Sequence, residues 1–132
     1  MKRLFATLAL LALAPAAQAQ SYGQVACAAA NACVAKTSGG SLLDGYVTPS
    51  STAGWLFVFN STTAPADGAV TAGSASGDYQ DCVYVAANNS QGISVAGTPP
   101  EPFSVGVTLV FSSTGCATLT KATALFLKAR TQ

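Results

Sequence analysis

Four cysteines, five acidic residues and a single tryptophan carry most of the chemistry open to this 132-residue chain. There is no histidine. That excludes Ser-His-Asp and Cys-His catalysis, His-ligated metal sites and a histidine pH switch. Cys27, Cys33, Cys82 and Cys116 are even in number and include no Cys-x-x-Cys spacing. A zinc ribbon or a thioredoxin-like dithiol needs that spacing, so the cysteines read as disulfides. Of the three pairings, Cys27–Cys33 with Cys82–Cys116 is favoured. The first closes a short N-terminal loop. The second closes a much longer segment, worth roughly 3–4 kcal/mol by loop entropy.

Asp67, Asp78 and Asp81 could converge across a long loop and offer oxygen ligands to Ca²⁺, although their spacing is not that of a calcium loop. They are the candidate binding residues, set against ordinary turn and solvation roles. No metal site and no cofactor is expected. Gly73-Ser74-Ala75-Ser76-Gly77 imitates a nucleophile elbow, but its central residue is alanine and no base is available. No serine stands three residues before a lysine, so a Ser-x-x-Lys nucleophile is also missing. No catalytic residue is therefore assigned, and the chain is expected not to be an enzyme. Asn60-Ser61-Thr62 and Asn88-Asn89-Ser90 match the glycosylation sequon, and both asparagines read as turn residues. Trp55 could stack on a sugar, but Phe57 and Phe59 share its face at period two. A core position is the expectation.

The elements that must position these residues begin after an export leader. Met1-Lys2-Arg3 is basic, Leu4 to Ala14 is apolar, and Ala17-Gln18-Ala19 fits the small-x-small cleavage rule. Residues 1–19 are expected to be a bacterial-type signal peptide. The apolar run falls short of the ~20 residues that span a bilayer. Its removal takes away Lys2 and Arg3 and leaves a mildly acidic, Gly/Ser/Thr-rich domain, secreted or periplasmic. Six basic residues against five acidic ones give no electrostatic footprint for nucleic acid. No membrane span follows the leader.

Residues 20–35 are small and uncharged, and they leave an extended arm or a short helix open. Residues 36–132 read as one β domain. Leu42–Thr48, Gly54–Asn60, Cys82–Ala87, Ile93–Ala96 and Ser104–Ser112 are expected strands, separated by turn formers. Thr71–Asp78 reads as a mobile loop. Thr98–Pro102 is too proline-rich for a central strand. Thr118–Arg130 is read as one strand, with Leu119, Thr123, Leu125 and Leu127 on one face. Short strands at this spacing predict an all-β antiparallel sandwich or jelly roll. Leu56, Val58, Val83, Val85 and Val110 make the opposite strand faces apolar too. Either the fold covers both faces, or a neighbouring subunit does.

"VAKTSGGSLLDGYVTPSSTAGWLFVFNSTTAPADGAV", "CVYVAAN" and "PFSVGVTLVFSSTGCATLTKATALFL" together resemble a family of small β-sandwich proteins of phage and prophage genes and their bacterial relatives. The shared order is a short hairpin, an aromatic strand with an Ala-Pro-Ala-Asp-Gly turn, and a Phe-x-x-Gly-led strand ending in Phe-Ser-Ser-Thr-Gly. The resemblance spans roughly residues 32–127. It implies a β-sandwich with a structural role at a virion or cell surface, and it implies no catalytic residues. The leader and the Cys27/Cys33 pair depart from the pattern and point to an exported cellular relative. The expected function is an exported, disulfide-stabilised structural or interaction protein that associates with itself or a protein partner. Alternatives are a virion decoration or fibre-like component, and a carbohydrate- or calcium-binding module.

Overall fold

The computed structural model describes residues 22–94 and 100–132. The leader expected over 1–19 lies outside them, as do the end of the strand expected over Ile93–Ala96 and residues 98 and 99 of the proline-rich connection. Eleven strands and no helix occur among the described residues. They are β1 (Gly23–Ala30), β2 (Ala32–Lys36), β3 (Gly40–Thr48), β4 (Gly54–Asn60), β5 (Gly68–Ala69), β6 (Tyr79–Val85), β7 (Gln91–Ser94), β8 (Glu101–Phe103), β9 (Val107–Ser112), β10 (Thr118–Leu119) and β11 (Ala124–Thr131).

The strands form an antiparallel β-sandwich. A five-stranded sheet runs β1-β11-β3-β7, with β8 also paired to β3. A four-stranded sheet runs β2-β9-β4-β6, and β10 and β5 make a small third sheet. Between the two main sheets lies the principal core. Leu42, Val47, Leu127 and Ala129 from one sheet meet Leu56, Val58, Leu109 and Phe111 from the other. Gly45 on β3 lets Leu109 come close from the opposite sheet.

β4 is buried on both faces. Leu56 and Val58 face the principal core, while Phe57 and Phe59 belong to a second cluster with Val110 and Leu119. The cover over that second face comes from the same chain: Val70, Tyr79, Leu119 and the Cys82–Cys116 disulfide pack there. Phe57 and Phe59 are stacked at 5.5 Å, and Tyr79 stands edge-on to both. The apolar outer faces of β4 and β9 are thus covered within the fold. Complete burial of each phenylalanine is worth about 1.5–3 kcal/mol.

The small-residue stretch left open as an extended arm or short helix is extended and not helical. Residues 23–36 are two strands of one segment that changes sheet. β1 pairs with β11, the segment turns at Ala29–Asn31, and β2 pairs with β9. Ala29 takes a left-handed φ of 48° at the corner, and the Asn31 carbonyl accepts from Phe111 N–H at 2.9 Å. Pairing to long partner strands overrides the helix propensity of alanine.

The stretch expected to be one strand over Thr118–Arg130 is two. β10 covers the four-stranded sheet, and β11 enters the five-stranded one. Leu119 and Leu127 therefore lie in different clusters, while Leu125 is 59% exposed. The break falls where Lys121 is tied to Asp67 and Ala122 N–H donates to the Phe111 carbonyl. β8, with Pro102, runs along the outer edge of β3, where proline removes no needed donor.

Candidate functional site

Both disulfides are formed as favoured from the sequence. Cys27 of β1 is bonded to Cys33 of β2, which joins the two main sheets. Cys82 of β6 is bonded to Cys116, which pins the 113–119 segment over the aromatic cluster. No cysteine is free among the described residues.

The three candidate aspartates are not brought together, and no group of three metal-ligating side chains occurs among the described residues. Asp67 accepts from the Lys121 backbone N–H at 3.1 Å and pairs with its ammonium at 3.1 Å. The backbone bond first, then the side-chain bond, holds its carboxyl below the ordinary value. Lys121 also donates to the Pro65 carbonyl at 2.6 Å, so this pair locks the Pro65–Asp67 turn. Asp78 accepts from Ala75 N–H at 3.3 Å and closes its own loop. Asp81 lies on β6 opposite Val58, on the side that faces the principal core. Desolvation there pushes its carboxyl up.

Asn60, read from the sequence as a sequon in a turn, is a fully buried residue at the end of β4. Its amide nitrogen donates to the Ser74 carbonyl at 2.8 Å and to Ser104 Oγ at 2.9 Å. Its carbonyl oxygen accepts from Val105 N–H at 2.9 Å. The loop expected to be mobile is therefore fastened: Gly77 N–H also donates to the Asn60 main-chain carbonyl at 2.8 Å. Composition indicated the loop but not its anchor. A polar residue closing a wholly apolar aromatic strand was the available signal. Asn88 is a turn residue, with a left-handed φ of 55°.

Trp55 is half-buried against the second cluster, and Tyr84 stands edge-on to it at 5.4 Å. Its ring covers the cluster.

The described concavity lies elsewhere, on the outer face of the five-stranded sheet. It is a shallow depression of about 560 Å³. Neither the spacing nor the type of its residues announced it, because β3, β7 and β11 are far apart in sequence. Register sets Tyr46 between Lys128 and Gly92, and Asp44 opposite Arg130. The Arg130 guanidinium donates through Nε and Nη2 to one Asp44 carboxylate oxygen, with Nε at 2.7 Å. That bond first, then the charge of Asp44, raises the Arg130 pKa. At the other end, Ser90 and then Thr48 hydrogen-bond to Tyr46 and lower its pKa. Phe126 completes the floor. The surface offers aromatic faces between an ion pair and a hydroxyl group cluster. Its carboxylate is engaged by the arginine.

No family model, curated protein or solved structure matches the chain.

Proposed function

We propose that this protein is an exported, non-enzymatic structural or interaction module. The observation that carries the reading is the Cys27–Cys33 bond between the two sheets, beside a second bond that pins the outer cover. Two disulfides belong to an oxidising compartment, and in a small domain they hold shape outside the cell's chaperone environment. The buried polar groups support the same reading, since Asn60 and Ser112 tie loops together. Expression of the full chain in a bacterial host, with fractionation and intact-mass measurement, tests it. The expected product begins at Gln20, lies outside the cytoplasm and carries both disulfides. Retention in the cytoplasm with free thiols overturns it. Gene neighbourhood separates a cellular role from the virion role that the resemblance implies.

The depression on the five-stranded sheet favours a second reading, a carbohydrate-binding module. Tyr46 and Phe126 offer ring faces, and Asp44 and Arg130 offer polar groups beside them. A glycan array tests it. Binding lost in Tyr46→Ala supports this reading, and an array without hits removes it.

A further inference from the structure

We infer that the free edge of β1 is an interaction surface, and that its partner is the same strand of a second copy of this chain. An edge strand leaves a row of backbone donors and acceptors without strand partners, and proteins usually block such rows. Among the described residues, the other edges of the two main sheets are short or blocked. β2 is five residues long and ends in Lys36. β6 turns Asp81 toward the core side, and its outer edge is engaged by the Ala72–Tyr79 bridge and by Gln80 donating to the Pro102 carbonyl. β7 has four residues, and β8 has three with Pro102 in the middle. β1 is eight residues long, with no charge and no proline. Among the described residues it pairs on one side only, with β11.

Self-pairing follows from what flanks this edge. Gln24, Ala26 and Ala28 are exposed on one face. An antiparallel two-fold pair centred on Ala26 sets Ala26 against itself and Gln24 against Ala28, with no like charges opposed. The nearest like charges across the axis are the two Lys128 side chains, each next to Ala26 in its own sheet. They are three strand spacings apart, about 14 Å, beyond the ~8 Å screening length at physiological salt. Among the described residues, the exposed Tyr22 stands just before this edge and the exposed Leu125 lies on the neighbouring β11. The closed dimer would be one continuous sheet built from the five-stranded sheets of both copies, with no β1 edge left open.

This inference goes beyond the function proposed above and holds wherever the protein resides. All strands of the described residues lie within 23–131, so the disulfide-bonded chain from Gln20 onward is the species to measure. Light scattering from micromolar to millimolar concentration is expected to show a monomer–dimer equilibrium. Amide exchange in residues 24–28 is expected to slow as concentration rises. Ala26→Lys, which opposes two ammonium groups across the axis, is expected to weaken the dimer roughly tenfold or more. Ala28→Lys gives a second variant on the same edge. Tyr84→Lys, on the other sheet, leaves the dimer unchanged, and unfolding midpoints confirm that each variant is folded. A monomer at every concentration, or a dimer that both lysine variants leave intact, overturns the inference.

Discussion

Cys27 and Cys33 lie in different sheets, and their covalent bond, with a Cα separation of 5.7 Å, fixes the corner at which the chain passes from one sheet to the other. Cys33 is buried among Leu42, Leu109 and the rest of the principal core. The bond therefore sets the spacing of the sandwich at one end.

The two disulfides differ in the loop they close, with sequence separations of 6 and 34. Loop entropy gives about 2 kcal/mol for the shorter and about 4 kcal/mol for the longer. In urea unfolding, Cys82→Ala/Cys116→Ala is thus expected to lose more stability than Cys27→Ala/Cys33→Ala. The reverse order would show that fixing the corner matters more than restraining the unfolded chain.

Asn60→Ala removes the one side chain that joins the 74–75 and 104–106 loops. The Val105 and buried Gly106 N–H groups lose their acceptor, so a cost of about 1–3 kcal/mol is expected. Limited proteolysis should then cut near Ser74–Gly77 at protein concentrations where the parent chain is intact. Asn60→Asp keeps the acceptor for Val105 but loses both donations, and is expected to fail in the same loop.

Asp81 gives a pH dependence of defined sign. Its folded pKa is raised by desolvation, so its contribution is fully present below the unfolded carboxylate value. That contribution is lost as pH rises through the folded value. Asp81→Asn should therefore be more stable than the parent at neutral pH, with the gap closing in acid. Asp67, with its lowered pKa, acts in the opposite direction: its contribution is present above the unfolded value and is lost as pH falls through the folded one. Midpoints of chemical unfolding from pH 3 to pH 7 separate the two through the single variants.

Gly54 begins β4 where a Cβ would fall on the Ser112 carbonyl and the Phe111 ring. Both belong to the adjacent strand, and the Phe111 ring is held in the core. Gly54→Ala is expected to cost about 1–3 kcal/mol by overpacking, read as a lower thermal midpoint with unchanged disulfides.

Periodicity made part of this architecture readable. Leu56 and Val58 against Phe57 and Phe59 announced a strand apolar on both faces, and the structure covers both. Cysteine number and spacing led to the right pairing. Alanine gives no periodic signal, so the two strands of residues 23–36 could not be separated from a helix or an arm. Leu119 and Leu127 looked alike by spacing, because only tertiary pairing reveals that the chain changes layer at Lys121. Asn60 was hidden for another reason: its partners are 14 and 45 positions away. The depression beside Tyr46 draws residues from three distant strands, which no local pattern can anticipate.

The pairing of β1 with β11 joins the first strand to the last, Gly23 to Thr131. β1 cannot find its partner strand until β11 has been made. Non-local closure of this kind delays folding. During synthesis β1 emerges from the ribosome long before its partner, so the five-stranded sheet stays open until β11 has been made, and the topology acts as a clock for closure.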